Sequence, residues 1–169
     1  TDKLGNVTKT DYDAKGQVIK ETDAAGNATL KEYDIYGNVI KETDALGNSS
    51  QTHYNAFGLV EKEVDKRGFA VSYVYNDKFQ LTEMTDKLGN KATFEYNDQG
   101  FVSKATNQNG FVSEYEYDIY GQKTKEIDPN KNVTENEYDL LGQVVKTVEP
   151  RKTTVNKYDS LGRLVSVKE

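Results

Sequence analysis

The sequence predicts an all-β fold, an antiparallel β-hairpin repeat array, on three observations: a 21-residue repeat, a turn-forming D-x-x-G in each half of it, and short strand-like segments between the turns. Tyrosine recurs at Tyr12, Tyr33, Tyr54, Tyr75, Tyr96, Tyr117 and Tyr138, always 21 residues apart, and again at Tyr158 after 20. An acidic series, Asp2, Asp23, Asp44, Asp65, Asp86, Asn107, Asp128 and Glu149, keeps the same spacing of 21. Each unit has two halves, YDAKGQVIKE over residues 12–21 and TDAAGNATLKE over residues 22–32. The 169 residues are thus expected to form one array of about eight 21-residue repeats with two hairpin turns each.

The turns come first in the argument because they set the register. Asp or Asn suits the first turn position, where its side chain accepts local backbone N–H groups, and Gly takes the left-handed position that follows. There are 16 such slots and 13 glycines, among them Gly16, Gly37, Gly58, Gly100, Gly121, Gly142 and Gly162 after the Tyr-Asp pairs. The exceptions are Phe79, Lys131 and Lys152, where a side chain must tolerate that backbone or the turn must change. A three-residue loop closed by a glycine bulge makes Asp13 face Gln17 and Tyr12 face Val18. In later units the same register sets Tyr33 against Val39, Tyr54 against Val60, Tyr75 against Leu81, Tyr96 against Val102, Tyr138 against Val144 and Tyr158 against Leu164. Lys123 breaks the apolar column opposite Tyr117.

The strands between the turns carry Val, Thr, Tyr, Ile and Phe and are too short for helices. Their parity is constrained. With two identical turns, an odd period would send Tyr33 to the opposite face from Tyr12, so either the turns differ by one residue in pairing or a bulge absorbs one. The first solution is expected, with the D-x-x-G-N turn pairing Asp directly with Gly. One face then carries Tyr12, Val18, Lys20, Thr22, Asn27, Thr29, Lys31 and Tyr33, with Tyr73, Phe94 and Tyr115 in the Lys31 column. The other carries Ile19, Glu21, Ala28, Leu30 and Glu32. The lysine stems of the Lys20 column are expected to lie across the tyrosine rings, and Glu21, Glu42, Glu63 and Glu126 to form an outward charge stripe. Neither face is wholly apolar, which predicts a partly hydrated sheet stabilised neighbour to neighbour without a central core. Sixteen strands exceed the ~10 that an open twisted sheet carries without curling, so the long twisted sheet is expected to coil into a spiral or shell wall.

Composition narrows the chemistry. Asp and Glu number 28 against 22 Lys and Arg, a net charge of −6, which argues against a nucleic-acid surface. Leu, Ile, Val and Phe total 37 residues, so a conventional core would be thin. With no cysteine, a disulfide framework, a thiolate nucleophile and Cys-ligated metal are excluded. No run approaches the ~18 apolar residues of a membrane helix, so membrane insertion is not expected. His53 is the only imidazole and reads as a substitution in a column otherwise holding Glu32, Val74 and Glu95. The turn aspartates are fully accounted for by turn formation, and the calcium nonapeptide pattern is absent. Repeated glutamates offer one environment many times, whereas a catalytic pair needs two unlike ones. Neither catalysis, a metal nor a cofactor is therefore expected. The tyrosine column, thickened by Tyr73, Tyr115 and Phe94, is read as cross-strand packing, with glycan stacking as its alternative.

Units such as YDIYGNVIKETDALGN (residues 33–48), YDLLGQVVKTVEP (138–150) and YDSLGRLVSV (158–167) resemble YD repeats, also called RHS repeats, over essentially the whole chain. That family includes bacterial RHS polymorphic toxins, wall-associated proteins, toxin-complex cocoon subunits and animal teneurins. The resemblance implies β-hairpin sheets that spiral into a hollow shell, commonly around a C-terminal toxin or peptide, in a secreted or cell-surface protein. The Arg that usually follows the turn glycine survives only as Arg163, and Asp128-Pro129 continues the repeat without matching the family's self-cleavage segment. Eight repeats are few for a complete shell, so the expected role is a wall segment of a longer protein, partnered by further repeats and a C-terminal cargo. The alternative is a surface adhesin or glycan-binding array. Exposed sheet edges are expected to favour self-association into dimers or filaments by strand addition.

Overall fold

The structure, a computed structural model, describes residues 7–169. Asp2 of the acidic series and Gly5 lie outside the described residues. Among the described residues there are sixteen strands and no helix. They are β1 (Lys9–Tyr12), β2 (Val18–Thr22), β3 (Ala28–Tyr33), β4 (Val39–Thr43), β5 (Ser49–Tyr54), β6 (Val60–Val64), β7 (Ala70–Tyr75) and β8 (Leu81–Thr85). There follow β9 (Lys91–Tyr96), β10 (Val102–Thr106), β11 (Val112–Tyr117), β12 (Lys123–Ile127), β13 (Val133–Tyr138), β14 (Val144–Glu149), β15 (Lys152–Tyr158) and β16 (Leu164–Lys168). Strand order follows sequence order without a crossover. The chain divides into two compact units, one running to Phe79 and including Met84–Gly89, the other comprising Gln80–Glu83 and Asn90–Glu169. Within each, antiparallel hairpin follows hairpin.

Turn chemistry sets the hairpins. In the first half of a repeat, the Asp13 N–H donates to the Gln17 carbonyl at 2.9 Å and the Gly16 N–H to the Asp13 carbonyl at 3.1 Å. Asp13 Oδ1 accepts the N–H groups of Lys15 and Gln17 at 2.8 and 2.9 Å. As the spacing predicts, Tyr12 then pairs with Val18, and the same pairing joins Tyr33 to Val39, Tyr54 to Val60, Tyr96 to Val102, Tyr117 to Lys123, Tyr138 to Val144 and Tyr158 to Leu164.

The second turn corrects the expectation that Asp would pair directly with Gly. The Asp23 N–H donates to the Asn27 carbonyl at 2.9 Å, Asp23 Oδ1 accepts the Ala25 and Asn27 N–H groups, and Thr22 pairs with Ala28. The two turns are of one kind because a carboxylate that takes the N–H groups two and four residues on fixes the same register wherever it stands. Parity is restored by a bulge instead. Opposite β1, Asp11 pairs with Lys20 while Tyr12 pairs with Val18, leaving Ile19 unpaired. The same register shift leaves out Ile40, Glu61, Ser103, Thr124, Val145 and Val165.

The bulge reassigns the faces. Glu21 pairs with Thr29 and Lys31 with Glu42, so the glutamate column shares the tyrosine face with Lys31, Tyr73, Phe94 and Tyr115. Lys20, Thr22, Ala28, Leu30 and Glu32 occupy the other face. The lysine stems therefore do not lie across the tyrosine rings. Lys41, Lys104, Lys125 and Lys146 meet Glu32, Glu95, Glu116 and Glu137 at 2.8, 2.9, 3.3 and 2.6 Å instead. On that face Glu21 takes Lys31 at 3.0 Å and Glu63 takes the Tyr73 hydroxyl at 2.7 Å.

The expected lack of a core is observed: among the described residues Ala92, 6% exposed, is the only buried hydrophobic one. Ladder hydrogen bonds and cross-strand pairs worth ~0.2–1 kcal/mol each carry the stability. At the three slots without glycine the backbone responds in two ways. Phe79 and Lys131 accept the left-handed conformation, at φ 62° and 65°. At the third, Glu149 pairs with Lys152 across the two-residue loop Pro150-Arg151, which accounts for the 20-residue spacing to Tyr158. A left-handed non-glycine residue costs about 1 kcal/mol. Lys131→Gly is therefore expected to raise stability by about that amount, read as an increase in the urea midpoint at unchanged slope.

Candidate functional site

The tyrosine face and the edge formed by the Tyr-Asp turns carry the most regular chemistry in the molecule. β2, β4, β6, β10, β12, β14 and β16 each open with a bulge, and the β2–β3 ladder begins only at Lys20↔Leu30, leaving the Val18 carbonyl beyond its first pair. The Tyr33 hydroxyl donates to that carbonyl at 2.7 Å. The bond recurs from Tyr54 to Val39 (3.1 Å), Tyr75 to Val60 (2.9 Å), Tyr96 to Leu81 (2.7 Å), Tyr117 to Val102 (3.0 Å), Tyr138 to Lys123 (2.7 Å) and Tyr158 to Val144 (3.0 Å). Every bond joins one repeat to the next, so the tyrosine column is a lock between repeats as well as a packing partner. Tyr12 is 59% exposed.

The glycines after the Tyr-Asp pairs, Gly16, Gly37, Gly58, Gly100, Gly121, Gly142 and Gly162, all have φ between +76° and +96°. Successive turns also touch along this edge. Gln80 Nε2 donates to the Gly100 carbonyl at 2.9 Å and Gln143 Nε2 to the Gly162 carbonyl at 2.7 Å. The Phe101 ring stacks on Tyr117 with centroids 5.0 Å apart and fills the space that a Cβ on Gly121 would need. The position after glycine, Arg in the repeats this chain resembles, thus serves here as a spacer between turns.

Electrostatics follow the same geometry. Asp23, Asp34 and Asp128 are held below the usual aspartate range, chiefly by the side-chain amides of Asn27, Asn38 and Asn132. For Asp44 and Asp159 the backbone N–H groups of Asn48 and Arg163 lead. The hydrogen bond to Glu63, reinforced by burial, pushes Tyr73 up to about 12, so it stays protonated as a donor. His53 pairs across the strand with Lys62 on the face away from the tyrosines. Among the described residues no group of three or more His, Asp and Glu is placed to hold a metal ion.

This geometry defines a class: an array of antiparallel hairpins in which each repeat is locked to the next. The RHS Repeat family model matches residues 12–49. The unit within the matched residues recurs along the chain at 21-residue spacing, and in this the chain is similar to RHS, or YD, repeats. A search of curated proteins found no relative. Among solved structures, the chain is similar to a component of the Tc holotoxin pore of Photorhabdus luminescens, with a TM-score of 0.71, 18% identity and coverage of 94% of this chain and 10% of that one. It is also similar to a chain in the crystal structure of TcdB2-TccC3-Cdc42, with a TM-score of 0.62, 14% identity and coverage of 95% and 11%. The chain spans about a tenth of the length of these structures' chains. At such identity the likeness is one of fold.

Two outcomes test the site's chemistry. Tyr54→Phe keeps the ring and removes the bond to Val39, and is expected to cost about 0.5–1.5 kcal/mol in urea unfolding. Asp23, Asp34, Asp44, Asp128 and Asp159 are more acidic folded than unfolded, so their contribution is present above the ordinary Asp range and is lost as pH falls through their lowered values. The melting temperature is therefore expected to drop below about pH 4. In Asp44→Asn part of that drop should be missing when thermal unfolding is followed from pH 7 to pH 2.5.

Proposed function

We propose that this array is a length of wall in a larger, exported protein, built to enclose a toxin or peptide cargo, with the rest of its own chain supplying further repeats and the cargo. The carrying observation is that the sheet has partly exposed side chains on both faces and no apolar interior, while each repeat is locked to the next. Such a layer gains stability by lengthening, with no need of a packing partner. Its likeness to long chains of Tc toxin assemblies supports the same reading. The proposed role is mechanical and non-catalytic, and the repeats serve as one continuous structural module in a secreted or cell-surface protein.

Limited proteolysis of the intact parent protein tests this. The account predicts that sites C-terminal to the array stay protected until denaturant opens the repeats, so that protection and repeat unfolding share one midpoint. Cleavage of that segment while the repeats remain folded would overturn the container role, and saturable glycan binding by the array would favour the adhesin role in its place.

A further inference from the structure

One hollow on the turn edge departs from the repeat in a way that shell building does not require. Phe79 occupies a slot held by glycine in 13 of 16 turns and is kept at φ 62°, a conformation that disfavours a bulky side chain. Its ring meets Phe57 of the preceding Tyr54-Asn55 turn edge to face, with centroids 5.0 Å apart. The pair is not a buried contact, since Phe57 is 73% and Phe79 53% exposed. Together with Leu59 and Val74 the two rings border a hollow of about 590 Å³. A glycine at position 79 would close the turn without strain and leave that wall bare.

The charged groups lining the hollow are Glu61 and Asp77, and no lysine or arginine lines it. Glu61 is the residue left unpaired by the β6 bulge. The tyrosine hydroxyls bordering the hollow are already engaged, Tyr73 with Glu63 and Tyr75 with the Val60 carbonyl. Aromatic faces beside two carboxylates favour a cation with an apolar stem: the rings attract positive charge through their quadrupole and the carboxylates add Coulombic attraction. An anionic ligand would be repelled. We propose that this hollow is a binding site for an arginine side chain of a peptide segment, its stem against Phe57 and Phe79 and its guanidinium toward Glu61 and Asp77. A planar guanidinium suits both stacking and carboxylate recognition better than an ammonium does. The site is independent of the container reading.

The test is an NMR titration of the whole chain with the blocked tripeptide acetyl-Gly-Arg-Gly-amide, its Gln counterpart and the neutral disaccharide cellobiose, following the Phe57 and Phe79 ring signals. The Arg peptide is expected to bind saturably and the Gln peptide at least tenfold more weakly. Phe79→Gly, which restores the residue of the other turns, and Glu61→Gln should each weaken Arg-peptide binding at least fivefold. Both variants should keep the cross-strand NOE pattern of the parent, which separates loss of the site from loss of the fold. Equal binding of the Arg and Gln peptides, unchanged affinity in both variants, or saturable binding of cellobiose in place of the Arg peptide would each overturn the proposal.

Discussion

At Asp13, Asp23, Asp34, Asp44 and Asn55 alike, the carboxylate or amide oxygen that opens the turn accepts the backbone N–H groups two and four residues further on. This pins those hairpins to one register, whereas Glu149 pairs with Lys152 across a two-residue loop. With an odd period, identical turns would alternate the tyrosines between faces, so one residue per repeat must leave the ladder. It leaves at the start of an even strand, as Ile19 does in β2, and the carbonyl next to it goes to the tyrosine hydroxyl of the following repeat. Turn, bulge and tyrosine are therefore three parts of one solution to a parity problem.

Such a sheet holds together without an interior. Only Ala92 is a buried apolar side chain among the described residues, and the ion pairs on the lysine face are exposed, worth little singly. Stability is then close to a sum of hairpins and of contacts between neighbours, as in other repeat architectures. The Tyr-to-carbonyl bonds carry special weight in that sum because each spans a repeat boundary. A sheet made this way can be lengthened by whole units, and single units can be altered locally, as the two-residue loop at Pro150-Arg151 and the left-handed Phe79 show.

Much of this was legible in the residues. The Asp-to-Gly spacing suffices to pair Tyr12 with Val18, because turn type fixes register over the two or three nearest pairs. The location of the parity correction was not legible, since a different second turn and a bulge satisfy alternation equally well. The choice rests on whether the Asn27 N–H bonds Asp23 as the Gln17 N–H bonds Asp13, and a sequence pattern does not display that bond. The face assignments of Lys20 and Glu21 followed that choice and turned over with it. One signal for the lock was present: the column holds tyrosine in all eight repeats and never phenylalanine, although six phenylalanines occur elsewhere. A packing column would accept either, so constancy of the hydroxyl points to a hydrogen bond. The meeting of Phe57 with Phe79 had a weaker sign, a bulky residue in a glycine slot.

The proposed mechanical role rests on register, because a bulge placed anywhere else would scatter the tyrosines and break the locks between repeats. Cross-strand NOEs in the first two hairpins measure it most directly. The account predicts contacts of Tyr12 with Val18, Asp11 with Lys20 and Thr22 with Ala28 in one and the same spectrum. A contact of Asp11 with Ile19 in place of Lys20, the pairing of an unbulged hairpin, would contradict it.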